Sequence, residues 1–202
     1  MGLPKTNPIL TVDEYLLLER AAKERHEYLD GKVFAMAGES GKHGDITVNL
    51  VISVGSQLKG TPCRARTKDT KVRSGPLQKS RQNTSGLFSY PDIVVIFGEP
   101  EYHDSFADVI INPTAIIEVL SRNTEAFDRG EKFTRYQTWN PTLQDYLLVS
   151  QDEPLIEHHS RQQDGTWSCN RITGLDSSVV IASIQCTLSL VEIYDRIVFS
   201  AE

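Results

Sequence analysis

"PTAIIEVLSRN" (Pro113–Asn123) carries one glutamate, Glu118, among Ala115, Ile116, Ile117, Val119 and Leu120. The apolar run predicts a strand with cover on both faces. An ionised carboxylate in such a strand loses its water at a cost of several kcal/mol or more unless something pairs with it. A salt bridge from Arg64, Arg66 or Lys132 would serve, and so would a metal ion.

Upstream, "YPDIVVIFG" (Tyr90–Gly98) predicts a second strand of the same kind, with Asp92 at its start directly after Pro91. Glu118 follows Asp92 by 118 − 92 = 26 residues. Consecutive elements are usually neighbours in space, so pairing of these strands would set the two carboxylates close together at one end of a sheet. Two partly desolvated carboxylates repel, and a hard divalent cation removes both penalties. Oxygen donors without a paired His or Cys nearby point to Mg²⁺ or Mn²⁺ rather than zinc. Taken alone, Asp92 reads as a strand-end residue.

Downstream, "EAFDRGEKFTRYQTW" (Glu125–Trp139) predicts a helix despite Gly130, ended by Asn140-Pro141. Its entry turn lets it fold back over the Glu118 strand. Asp128, Lys132 and Arg135 fall on about one face, at spacings of four and three. Lys132 alone is a surface lysine paired with Asp128. Beside a carboxylate–metal site its ammonium would hold a phosphate oxygen or steady an attacking water. Phe127, Phe133, Tyr136 and Trp139 read as core rather than base-stacking platforms.

The remaining elements frame these three. A helix over about 12–22 is capped by Thr11. "HEYLDGKVFAMAG" is a hairpin turned at Asp30-Gly31. Ile46, Leu50, Val54 and Leu58 stand four apart on a helix closed by Gly60. "CRARTKDTKVRSG" reads as strand, turn, strand, and "PLQKSRQNTSGLFS" and "EPEYHDSFADVIINP" as connectors. "DYLLVS", "LIEHHSRQ", "TWSCNRIT" and "SVVIASIQCTLS" are strands, and "LVEIYDRI" is a last helix. Adjacent strand residues point to opposite faces, so His158 and His159 do not share an ion. The order predicts an α/β (mixed α+β) chain with one mixed sheet and helices against it.

At 202 residues the chain fits one domain, 1–202, with a core over about 10–195. Cys63, Cys169 and Cys186 are too few and too far apart for a disulfide framework or a cysteine zinc site, which suits a cytoplasmic protein. No apolar stretch approaches a membrane span. Gly2 and Thr6 stand where a myristoylation signal has them, a pattern frequent by chance. The net charge of -6 speaks against non-specific adhesion to nucleic acid. Against that, Lys59 to Arg81 holds eight basic residues and one acid, 8 − 1 = +7. Within it, Arg64, Arg66, Lys68, Lys71 and Arg73 form either a solvated strand edge or a surface that meets phosphates.

An aspartate after proline, a glutamate in a following apolar strand and then a lysine resembles the PD-(D/E)-x-K restriction-endonuclease-like superfamily. "HEYLDGKVFAMAG", "YPDIVVIF" and "AIIEVLSRNTEAFDRGEKFTRYQTW" are similar, more narrowly, to the Uma family of endonucleases. The resemblance implies a restriction-endonuclease-like central mixed sheet flanked by helices, with extra β-hairpins. It implies a Mg²⁺- or Mn²⁺-dependent endonuclease acting on DNA, often as a homodimer. The superfamily's lysine stands two residues after the acid, where this chain has Leu120, so Lys132 would supply the charge from the helix. The implied set is then Asp92 and Glu118 as metal ligands with the Val119 carbonyl, Lys132, Glu27 as a further ligand, and His43 at a phosphate or orienting a ligand. Arg64 to Arg73 would dock the DNA backbone. The rival expectations are a nucleic-acid-binding module that keeps the fold without the chemistry, and an interaction protein that binds no nucleic acid.

Overall fold

The computed structural model describes residues 9–36, 38–77, 80 and 82–199. Gly2, Thr6, Lys79 and Arg81 lie outside the described residues.

Helix α1 (Val12–Ala21) opens on a capping box, in which the Thr11 hydroxyl accepts the Glu14 N–H and the Glu14 carboxylate accepts the Thr11 N–H. Strands β1 (His26–Leu29) and β2 (Lys32–Ala35) form the first hairpin. Its turn residues Asp30 and Gly31 both have positive φ, as a tight primed turn requires. Helix α2 (Gly41–Gln57) buries Ile46, Leu50 and Val54 along one stripe.

Strands β3 (Cys63–Thr67), β4 (Lys71–Ser74), β5 (Leu87–Ser89), β6 (Ile93–Phe97), β7 (Val109–Ile110) and β8 (Ala115–Val119) follow. After them comes a helical segment in three parts: α3 (Glu125–Phe127), one π turn (Asp128–Lys132) and α4 (Phe133–Trp139). Strands β9 (Asp145–Val149), β10 (Leu155–Arg161), β11 (Trp167–Thr173), β12 (Ser178–Ile181) and β13 (Cys186–Ser189), then α5 (Leu190–Ile193), complete the described chain.

These strands make three sheets rather than the one expected. The first is six-stranded, in the order β11-β10-β9-β8-β6-β3, with β8 and β9 parallel and the other pairs antiparallel. The second is five-stranded, β2-β1-β5-β4-β7, and the third is the β12-β13 hairpin. The Lys68-Asp69 turn carries the chain from one sheet to another, since β3 pairs with β6 while β4 pairs with β5 and β7. Strands β5 and β7 sat unseen in the predicted connectors because two or three residues are too few to show a period. "SVVIASIQCTLS" is a hairpin whose short 3₁₀ turn ends at left-handed Gln185.

The six-stranded sheet positions everything that follows. One face, with Ile93, Val95, Ile117 and Val119, packs on Ile46, Leu50 and Val54 of α2. The other, with Val94, Ile96, Ile116 and Leu148, packs on Phe133 and Tyr136 of α4. Cover on both faces is why β6 and β8 read as unbroken apolar runs. Residue parity then puts the Glu118 side chain on the α4 face, with Ile116.

Candidate active site

Strands β6 and β8 pair with Ile93 opposite Ile117 and Val94 opposite Ile116. One step further along that register, Asp92 falls opposite Glu118, and directly opposed residues share a face. Both acids are buried, Asp92 at 8% and Glu118 at 4% exposure.

The counter-charge comes from the π turn. Lys132, 4% exposed, sets its Nζ 2.7 Å from Glu118 Oε1, 3.1 Å from Asp128 Oδ1 and 3.7 Å from Glu27 Oε1. The turn is anchored where the Tyr146 hydroxyl donates to the Asp128 carbonyl at 3.0 Å. A π turn in a short helix shifts the side chains after it relative to an α-helical course, and such turns concentrate at functional sites. Glu27 is reached from β1 and accepts the Tyr90 N–H at 3.3 Å.

Asp92 is held from two sides. The Val119 N–H donates to its Oδ2 at 2.8 Å, and His43 Nε2 lies 2.9 Å from its Oδ1. His43 sits in the first turn of α2, where its backbone N–H is capped by Ser40. Burial works against charge on His43, but Asp92 and Glu39 outweigh it and raise its pKa.

Three carboxylates, Glu118, Asp128 and Glu27, therefore face one ammonium, while Asp92 is paired with His43. Burial opposes the charge on Lys132, yet Glu118, Asp128 and Glu27 together hold it protonated well above the usual lysine range. Burial pushes Glu118 up, Lys132 pulls it back, and Asp128 and Asp92 push it up again, leaving it well above the usual carboxylate range. Glu118 Oε1 is met by the Lys132 ammonium at 2.7 Å, the contact that favours its charge. A buried set of carboxylate oxygens that outnumbers its cations suits an ion of oxygen-seeking chemistry. Among the described residues no three His, Cys, Asp or Glu side chains are gathered so as to hold an ion by themselves. Mg²⁺ needs no such cage, being held commonly by one or two carboxylates with waters and phosphate oxygens completing its shell. On that basis the donors present fit it.

The cluster forms part of the lining of a cleft of about 860 Å³ whose walls include β2 (Phe34, Met36), the start of α2 (Lys42, His43) and the turn after β8 (Leu120 to Thr124). The structure thus brings Asp92, Glu118, Val119, Lys132, Glu27 and His43 to one place. Asp128 was noted in the sequence only for its spacing from Lys132, and it belongs to the same cluster. Tyr90, Tyr146 and Phe34 carried no signal in the sequence, because each depends on a fold-level contact.

The basic segment is less coherent. Arg64 pairs with Glu99 at 2.6 Å, Arg66 donates to the Tyr102 hydroxyl at 2.6 Å, and Lys68 pairs with Glu39 at 2.6 Å. Lys71 and Arg73 are buried, at 6% and 3% exposure, against the expectation that they dock a DNA backbone. Lys71 is bound to Asp108 at 3.0 Å, and Arg73 donates to the Pro76 carbonyl at 2.5 Å and lies 2.6 Å from His103 Nδ1. Alternation is absent in β4 because both its faces are covered, so its cations point inward. His158 and His159 do separate, the first onto Asp145 at 2.6 Å and the second against the Phe133 ring. Phe133 and Tyr136 are core, whereas Trp139 is 44% exposed.

Residues 12–190 match the Uma2 family, described as "Putative restriction endonuclease". This chain belongs to the Uma2 family. The match takes in every element from α1 to the start of α5, and with them all members of the cluster. Two relatives from Synechocystis sp. are similar over most of their length. "Uncharacterized protein slr1290" is 38% identical over 79% of this chain and 78% of its own. "Uncharacterized protein sll1609" is 33% identical over 89% of this chain and 96% of its own. A crystal structure from Anabaena variabilis, titled a putative nuclease belonging to DUF820, superposes with a TM-score of 0.73 at 21% identity. It covers 94% of this Uma2 chain and 99% of that one, and shows the fold to be the mixed α+β arrangement of restriction-endonuclease-like nucleases. Among the described residues no helix is long and apolar enough to cross a membrane.

Proposed function

We propose that this protein is a Mg²⁺- or Mn²⁺-dependent endonuclease that hydrolyses phosphodiester bonds in DNA, built as one restriction-endonuclease-like domain. The observation that carries the reading is the reach of Lys132. The superfamily pattern wants a cation two residues after the acid, where Leu120 is buried in the core; instead an ammonium arrives from the π turn, 2.7 Å from Glu118. The family match and the fold support the same reading, since restriction-endonuclease-like nucleases generally use divalent metals.

Asp92 and Glu118 would hold the ion, with the Val119 carbonyl and Glu27 as further oxygen donors. When bound, such an ion lowers the pKa of its water and offsets charge building on the phosphate. The rest belongs to the chain. His43 and the Val119 N–H fix the Asp92 carboxylate, leaving it lone pairs to present to the cleft. Lys132 keeps its proton because acids surround it, and offers N–H to a phosphate oxygen or to the attacking water. Arg64, Arg66 and Lys68 would meet the strand outside the cleft; Lys71 and Arg73 leave that set because they are buried. We read the protein as cytoplasmic, its three free thiols reduced, and as a homodimer, which sedimentation would show.

Incubation with plasmid and short DNA in Mg²⁺ or Mn²⁺ tests the reading. Wild type should cut, and Lys132→Ala should cut at least about a hundredfold more slowly, the scale of losing one stabilising donor. Equal cutting by the two would remove Lys132 from the mechanism. The second reading, a binding module without chemistry, is favoured by Leu120 at the strand position. It predicts salt-sensitive DNA affinity with no cutting and no metal requirement.

A further inference from the structure

The cleft has one wall that neither a metal site nor a phosphate needs. Phe34 stands directly across from Glu27 in the β1–β2 pairing, so its ring leaves the hairpin on the same face as the carboxylate that lies 3.7 Å from Lys132. Its neighbour Val33 points the other way and packs against the core of Tyr15, Tyr28 and Phe88. Phe34 is 50% exposed, Met36 follows at 37%, and both line the cleft. β2 is the edge strand of its sheet. Edges are normally blunted with charge or proline, not offered as an open aromatic.

The supply of cations points the same way. Duplex DNA is held chiefly by neutralising many phosphates. Here the net charge is -6, two of the five cations expected to do that are buried, and the other three lie outside the cleft, two of them paired with Glu99 and Glu39. Besides Lys132, the lysine and arginine that line the cleft are Lys42 and Arg122, the latter 88% exposed and loosely paired with Asp152 at 3.8 Å. Two cations and an aromatic suit one or two nucleotides of single strand, a base stacked on the ring and the flanking phosphates met by the cations. A cleft of about 860 Å³ lies in the range of pockets for small ligands, room for roughly one or two unstacked nucleotides.

We propose that the cleft takes a nucleic-acid strand with an unstacked base laid on Phe34, so that the protein acts on single-stranded or locally unpaired segments in preference to fully paired duplex. This rests on the nuclease reading for its purpose, but the binding it describes stands or falls separately. Lys42 and Arg122 meet the phosphates flanking the stacked base. The phosphodiester next to that base is then carried towards the Asp92–Glu118–Lys132 cluster.

Fluorescence anisotropy on the full chain, without added divalent ion, tests this with four labelled probes. They are a single-stranded DNA oligonucleotide, the same strand with one abasic position, its perfect duplex, and the duplex with one mismatch. The single strand should bind more tightly than the perfect duplex. Phe34→Ala should weaken single-strand binding by about fivefold or more, the scale of one lost base stack, and Phe34→Trp should restore it. Phe97→Ala, an exposed aromatic at the far end of β6 from Asp92, should change nothing. The abasic strand should bind less well than the intact one. A mismatched duplex that gains affinity over the perfect one identifies an extruded base as a source, and one that does not confines the source to open strands. Equal affinity for single strand and perfect duplex, no binding of the single strand, or indifference to Phe34→Ala overturns the proposal. Phe34-dependent binding without cutting in Mg²⁺ or Mn²⁺ would break the hydrolytic reading and leave the base platform standing. Metal-dependent cutting of perfect duplex, unaffected by Phe34→Ala, would do the reverse.

Discussion

Two of the ion-pair clusters among the described residues are built on opposite terms. Around Lys132, three carboxylates (Glu118, Asp128 and Glu27) share one ammonium in the lining of a cleft, and Asp92 beside them pairs with His43. At the other, Arg20 and Lys71 meet Asp104 and Asp108, two cations against two acids. In the balanced cluster the contacts lie at 2.7–3.1 Å, and burial of Asp108 is outweighed by Arg20 and Lys71, which hold its pKa at about 2. In the unbalanced one, burial and its fellow acids drive Glu118 the other way despite Lys132. A closed set of charges stabilises a fold; a surplus of one sign beside a cavity is a demand for something that is not part of the chain. The difference lies in charge arithmetic together with burial: Glu118 and Lys132 are almost fully enclosed, whereas Asp104 and Asp108 are partly open to solvent.

Breaking the contrast should give its largest effect in activity. Glu118→Gln should lower cutting at least about a hundredfold, whereas Asp108→Asn should leave the cutting rate at the wild-type level while costing about 1–2 kcal/mol of stability. If Asp108→Asn cut as poorly as Glu118→Gln, the two clusters would not be distinct in function. A smaller effect is expected in thermal unfolding. Lys132→Met strands Glu118 and Asp128 without a cation and should cost about 3–5 kcal/mol. Adding Glu118→Gln to it should return part of that loss, because one of the stranded charges is gone. A double variant less stable than the single one would mean that the site is not short of positive charge.

The mildest effect is one of pH. Asp108 has a folded pKa of about 2 against an ordinary 3.8, so the stability it contributes is present above about 3.8 and is lost as pH falls towards about 2. Acid unfolding followed by circular dichroism should show wild type losing that increment over this window. Asp108→Asn should lack it there. An identical acid limb in both proteins would remove Asp108 from the account.

Much of the candidate site was legible in the sequence because its cause is local. A carboxylate in an unbroken apolar strand states its own need for a partner, and the paired strand with Pro91-Asp92 gave the second acid. The i, i+4 spacing of Asp128 and Lys132 gave the face from which a cation would come. What stayed hidden depends on distance along the chain. Lys71 and Arg73 looked like surface because β4 lies in a different sheet from β3, which no local pattern declares. The π turn could not be read from "DRGEK", since its register is set by what it packs on, including Tyr146. Phe34 looked like one half of an ordinary hairpin pair; only the position of β1 beside Lys132 gives its exposure a meaning.

The account rests on the surplus of negative charge between Asp92 and Glu118, and titration calorimetry of Mn²⁺ into the full chain tests it most directly. Wild type should show saturable binding that Asp92→Asn and Glu118→Gln each abolish and that Asp108→Asn leaves intact. No heat of binding in wild type, or binding that survives both cleft substitutions, would contradict it.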